Sequence, residues 1–205
     1  MIPLIELAAV ASSALYGVLR GLRCGFDAVG LVSVSAATAF GGGTLLDLFL
    51  GRRPLFWIEY EYLLWVVIGL ALVGAVLPRS VARVERLLVY PDAIGLGLFS
   101  VAGTAVALQE GMSPLIATLM GVVTGTFGGV ICDIICNETP TLFRPSPLCA
   151  TCALLGSLTY LGTLEAGLPT PAAQGVAIVI AAVFRIVAVL RNWTLPTKAI
   201  AKPIG

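Results

Sequence analysis

Two aspartates stand at the same distance behind paired glycines, in segments otherwise apolar enough to cross a bilayer. The first set is Gly42-Gly43-x3-Asp47-x6-Pro54, and the second, 86 residues further on, is Gly128-Gly129-x3-Asp133-x6-Pro140. A carboxylate at membrane depth is costly unless it faces water, a cation or a partner. Glycines before it cost about 1 kcal/mol each of helix propensity relative to alanine. Three in a row at Gly41, Gly42 and Gly43 predict a kink or an unwound turn in the first copy. An unwound turn leaves carbonyls that suit a dehydrating cation. Asp47 lies four residues beyond Gly43, on the same helix face and about 6 Å along the axis. Asp133 holds the same relation to Gly129.

Other chemistry is scarce. The chain has no histidine, which removes the commonest general base and metal ligand. It also removes a Ser-His-Asp or Cys-His site. The five cysteines are Cys24, Cys132, Cys136, Cys149 and Cys152. Cys149-x2-Cys152 has metal or redox spacing, yet it lies in an apolar run with no second pair. It reads as small residues at a helix contact. No catalytic residue, no metal set and no cofactor is expected, and the chain does not read as an enzyme.

The elements that must carry the motifs are membrane helices. Hydrophobic residues make up 59% of the 205 and charged residues 11%, against about 25% charged in soluble domains. Mean hydropathy is +1.02. Seven segments approach the roughly 20 apolar residues a span requires: about 2–20, 28–50, 57–77, 92–109, 114–136, 147–164 and 172–190. The first lacks a basic lead and contains Glu6, so it reads as a span rather than a signal peptide. Arginine- and proline-rich breaks such as Arg52-Arg53-Pro54 and Arg144-Pro145-Ser146-Pro147 separate the others.

Nine basic residues fall on one side of this layout: Arg20, Arg23, Arg79, Arg83, Arg86, Arg144, Arg191, Lys198 and Lys202. The other side has Arg52 and Arg53. The asymmetry places the N-terminus outside and the C-terminus in the cytoplasm. The surroundings expected are a plasma (inner) membrane of a prokaryote and its lipid, with no basic face for nucleic acid.

Shifted by 86, the chain meets itself without a gap. Gly17 meets Gly103, Gly25 meets Gly111, and Thr38 meets Thr124, followed by the glycines, the aspartate and the proline. Three spans per unit is an odd number, so the second unit enters from the opposite side. That makes two inverted three-helix repeats plus a seventh helix, divided at 1–90, 91–168 and 169–205. Asp47 then lies outward of the midplane and Asp133 inward. Both aspartates, with Thr44, read either as contacts of a permeant cation or as caps and ion-pair partners. Arg185, inside the last span, reads as a residue snorkelling to the interface, as the counter-ion of Asp133, or as a gate. The glycines read equally as close-packing positions. Trp57, Tyr60 and Tyr62, interleaved with Glu59 and Glu61, read as an interfacial belt, and Glu110 and Glu165 as solvated loop charges.

The run Phe40-Gly-Gly-Gly-Thr-Leu-Leu-Asp-Leu-Phe-Leu-Gly-Arg-Arg-Pro54 resembles the signature of the prokaryotic TRIC (trimeric intracellular cation) channels, a family also catalogued as glycine transporters. Thr124 through Asp133 resembles its second copy. Ala150–Gly156 and Arg185–Pro196 resemble its sixth helix and C-terminal end. The resemblance implies a homotrimer of seven-helix protomers, each with its own pore for monovalent cations, chiefly K⁺, kinked at Gly41–Gly43 and Gly128–Gly129. Permeant K⁺ or Na⁺ and lipid are then the expected bound species. The family commonly has arginine before the motif aspartate. Here Leu46 and Cys132 stand there, which leaves Asp47 and Asp133 barer or assigns Arg185 to compensate. The lysine signature of animal members is absent, so their lipid regulation does not carry over. A carrier of a small zwitterion such as glycine, working by alternating access, is the alternative, since broken helices in inverted repeats suit both.

Overall fold

The computed structural model describes residues 2–76 and 88–195. Arg79, Arg83, Arg86, Lys198 and Lys202, used above for orientation, lie outside the described residues. The described chain is helical: α1 (Ile2–Arg23), α2 (Ala28–Leu50), α3 (Phe56–Glu59), α4 (Tyr62–Val76), α5 (Val89–Gln109), α6 (Pro114–Ile135), α7 (Ala150–Glu165) and α8 (Thr170–Leu190), with a 3-10 turn at Thr141–Phe143. Five of these helices, α1, α2, α5, α6 and α8, are long and apolar enough to cross a membrane.

Two elements depart from expectation. The span expected over 57–77 is two helices, with α3 ending at Tyr60 before α4 begins. Glu59 and Glu61 flank that break, and each charge gains water by leaving a continuous apolar helix. The sixth starts at Ala150 rather than 147, because Pro145 and Pro147 hold the preceding chain extended.

Helix starts and stops follow local chemistry, and they repeat every 86 residues. Asp27 caps α2 by accepting from the Gly30 N–H at 2.8 Å, and Ser113 caps α6 by accepting from Ile116. The turns into these caps pass through Gly25 and Gly111, both at φ 76°, where a side chain would be strained. At the far ends, Gly51 (φ 69°) and Asn137 (φ 56°) take the left-handed position that closes a helix. Thr38 and Thr124 turn their hydroxyls back to the carbonyls of Val34 and Met120, each at 2.6 Å.

Packing joins the two halves at their centre. α5 packs against α1, α6, α7 and α8, while α2 packs against α1, α4 and α6. One core cluster gathers Val10, Ala14, Phe40, Leu63, Val67 and Phe99 from α1, α2, α4 and α5. Large apolar side chains such as Trp65, Val73, Leu115 and Val179 stay exposed, as lipid-facing positions require.

Candidate ion pathway

The glycine triplet does not unwind. α2 remains helical through Gly41, Gly42 and Gly43, and α6 through Gly128 and Gly129. The unwound turn is therefore corrected: packing against neighbouring elements outweighs the propensity cost. The glycines supply closeness instead. A Cβ on Gly42 would strike the main-chain carbonyl of Thr124, and one on Gly128 would strike that of Thr38. These contacts are reciprocal at the 86-residue spacing. Gly41 is closed off by Ile131 and Gly43 by the Phe56 ring. Gly129 differs, for nothing lies within 4 Å of where its Cβ would be.

Asp47 and Asp133 are buried, 1% and 2% exposed. One oxygen of Asp47 accepts from the Phe56 N–H at 2.8 Å, at the start of α3, and the other pairs with Arg52 at 3.0 Å. Asp133 repeats the arrangement. Its Oδ2 accepts from the N–H and hydroxyl of Thr141, at 2.8 and 2.6 Å, at the start of the 3-10 turn. Its Oδ1 accepts from Arg20 at 2.9 Å. Each aspartate thus ends one helix and caps the next short one. Neither is bare, so the missing arginines at 46 and 132 are replaced by Arg52 and Arg20.

Both arginines reach a second acid, Arg20 to Glu138 at 3.0 Å and Arg52 to Glu110 at 3.5 Å. The residue five beyond the aspartate is basic in one copy (Arg52) and acidic in the other (Glu138). The third member comes from the opposite half, at the end of α5 (Glu110) or α1 (Arg20). The Arg20 hydrogen bond holds the Glu138 carboxyl below its ordinary value. Glu110 is exposed, as a solvated loop charge, and also lies 3.5 Å from Arg52.

Arg185 neither snorkels nor pairs with Asp133. It is 6% exposed. Its Nε and Nη2 each approach Asp92 at 2.8 Å, and Nη1 donates to the carbonyls of Pro147 and Leu148 at 2.9 and 3.2 Å. Thr44 accepts from the Trp57 indole at 3.1 Å, and Trp57 stacks on Phe40, so both face the protein.

Three small cavities succeed one another between α1, α2, α5 and α6. The first, about 20 Å³, is lined by Glu6, Gly43, Asp47, Arg52, Phe99 and Thr124. The second, about 40 Å³, meets it at Phe99 and Thr124 and includes Ser13, Thr38, Gly128 and Gly129. The third, about 20 Å³, shares Tyr16, Asp92 and Gly129 with the second and ends at Asp133 and Arg185. A water needs roughly 10–15 Å³ of such space, so each cavity holds about one to three waters. Thr44, Gly41 and Gly42 line none of the three.

Glu6 and Asp92 escaped the sequence reading, although the same shift of 86 aligns them. Glu6 and Asp47 face the first cavity, Asp92 and Asp133 the last. Glu6 and Asp92 are acids of different length, which hides the match in a search for identities.

Known proteins share this architecture. A family model described as "Glycine transporter" matches the chain twice, at residues 3–79 and 89–165. The "UPF0126 membrane protein" of Vibrio cholerae is 34% identical over 97% of this chain and 83% of that protein. The "UPF0126 inner membrane protein YadS" of Escherichia coli is 30% identical over 96% of this chain and 95% of that protein. The crystal structure of the TRIC trimeric intracellular cation channel orthologue from Rhodobacter sphaeroides superimposes with a TM-score of 0.84 at 35% identity, over 94% of this chain and 98% of that one. The chain belongs to the TRIC family. It is a multi-pass membrane protein.

Proposed function

We propose that this TRIC protein is a monovalent cation channel, K⁺-permeable, with a pore through each protomer of a homotrimer. The observation that supports it is the file of cavities with carboxylates at both ends, buried Glu6 and Asp47 at one and half-buried Asp92 with buried Asp133 at the other. Acids at a narrow low-dielectric passage favour cations and oppose anions. Threonine hydroxyls and close helix backbones line the middle.

The reading includes two inverted three-helix units, 1–90 and 91–168, followed by 169–205 with the last helix. The reciprocal Gly42–Thr124 and Gly128–Thr38 contacts support it. The bilayer in question is the inner membrane of a prokaryote, with the N-terminus outside and the C-terminus in the cytoplasm. No cofactor takes part, and lipid is the remaining bound species. The homotrimer rests on likeness to the Rhodobacter sphaeroides channel. The mass of detergent-solubilised protein, about three times that of the protomer, checks it.

A carrier of a small zwitterion is the second reading, favoured by the description of the matching family model. Glycine asks for more room than one to three waters, and for a carboxylate site in a passage whose ends are acidic. The experiment is purified protein in a planar bilayer. Unitary K⁺ currents reversing at the K⁺ potential are expected. Saturable glycine counterflow in liposomes, without unitary currents, would sink the channel.

A further inference from the structure

The shift of 86 that aligns Asp47 with Asp133 also aligns Glu6 with Asp92, so a strictly two-fold path would treat the two acids alike. It does not. Asp92 is gripped by Arg185 through two nitrogens at 2.8 Å. Arg185 comes from α8, which has no counterpart in the repeat. Glu6 is 9% exposed, its Oε2 is buried, and that oxygen has no hydrogen-bond partner among the described residues. A buried carboxylate oxygen without a donor is costly, and such a group calls for an occupant. Glu6, on α1, lines the first cavity together with Asp47 and Thr124. The charged groups around it are Arg52, Asp47 and Glu59. Arg52 is held by Asp47 and Glu110, and no bond joins it to Glu6 Oε2.

We propose that Glu6 and Asp47 form a binding site for a monovalent alkali cation at this mouth of the path, with Glu6 Oε2 as its principal ligand. The site rests on the channel reading and deepens it, by naming where the permeant ion dehydrates first. The cavity of about 20 Å³ admits a bare ion with one water rather than a fully hydrated one. Asp47 contributes less, because both of its oxygens already accept hydrogen bonds. At the other mouth the equivalent acid is neutralised, so the first binding step belongs to the Glu6 end.

The test pairs currents with binding. Unitary conductance of wild type, Glu6→Gln and Glu6→Asp is measured from low to high KCl. In parallel, thermal stability in detergent is followed as KCl replaces choline chloride at constant ionic strength. Glu6→Gln should lower conductance at low KCl by roughly fivefold, the effect of one unit charge about 4 Å away in water, and converge on wild type at high KCl. Stabilisation by K⁺ over choline should vanish in Glu6→Gln and persist in Glu6→Asp. If wild type conducts and Glu6→Gln matches it at every KCl concentration, the site is overturned while the channel stands. If wild type passes no current, the channel reading fails, and the stability arm alone decides the site. Equal K⁺ stabilisation of wild type and Glu6→Gln overturns it there. Should Glu6→Gln not fold, Glu6→Ala takes its place: loss of K⁺ stabilisation there supports the site, and full retention overturns it.

Discussion

Arg20 and Asp133 meet at 2.9 Å across 113 residues of chain, joining the last turn of α1 to the last turn of α6. Both are buried, 7% and 2% exposed. Removing one partner of a buried pair strands the other, at a cost of about 3–5 kcal/mol. Arg20→Met should therefore lower the thermal midpoint sharply. The double variant Arg20→Met/Asp133→Asn should recover much of the loss, because an asparagine oxygen still accepts from Thr141. Equal midpoints for the single and double variants would remove the pair from the account of stability.

The glycines separate into two kinds by what surrounds them. Gly42→Ala forces a Cβ onto the Thr124 carbonyl, which is backbone and yields little, so a loss of about 1–3 kcal/mol is expected. Gly129→Ala meets nothing and gains up to about 1 kcal/mol of helix propensity. Its methyl group points into space shared by the second and third cavities. Conductance should fall while the thermal midpoint holds or rises. A Gly129→Ala channel with wild-type current would place the ion path elsewhere.

Acid should act through Glu138. Its carboxyl is held below the ordinary 4.5 by Arg20. A depressed folded value means that the contribution is fully present above pH 4.5 and is lost as pH falls through the folded value. Wild type should exceed Glu138→Gln in thermal midpoint at neutral pH, and the gap should close below about pH 4.5. A gap that is constant from neutral to acid pH would show that the Arg20–Glu138 bond carries no stability. Substantial exposure of Glu138 keeps the effect small.

Arg185 binds Asp92 and two carbonyls of the segment before α7. A double-mutant cycle of Arg185→Gln and Asp92→Asn should give a coupling within about 0.5–3 kcal/mol. Arg185→Gln also bares Asp92 and gives its mouth the charge that Glu6 gives the other, so K⁺ conductance at low KCl should rise. Zero coupling in thermal melts would mean that the carbonyl bonds, not Asp92, hold Arg185.

Five of the spans were legible because each is a long apolar run ended by glycine, proline or arginine. The residues 28–50 read as a span are α2 itself, and 114–136 overshoots α6 by one residue. The motif aspartates were legible as cap or ligand, and the cap is seen. Their partners were not legible. Arg20 read as a topological charge in a loop, yet it is buried against Asp133. Arg185 read as a snorkelling residue, as the counter-ion of Asp133 or as a gate, yet it holds Asp92. Ion pairs spanning 93 and 113 residues of chain depend on which helix ends share a side of the bundle and how far each side chain reaches. A linear pattern does not carry that. For the glycines the close-packing reading holds and the unwound turn does not: propensity counts the local cost of a helix, whereas the close approach of Thr38 and Thr124 is a tertiary fact.

The exchange of Arg52 for Glu138 has a consequence for how the chain recognises itself. A protein built from two second halves would set Asp133 beside Glu138 with valine in place of Arg20, since Val106 holds that position. Asp133 would then be buried with no base against its Oδ1, and Glu138 would keep only Arg144, at 3.8 Å. The halves are complementary rather than interchangeable: the first half supplies the arginine that the buried acid of the second requires, so unlike parts, not duplicates, complete the site.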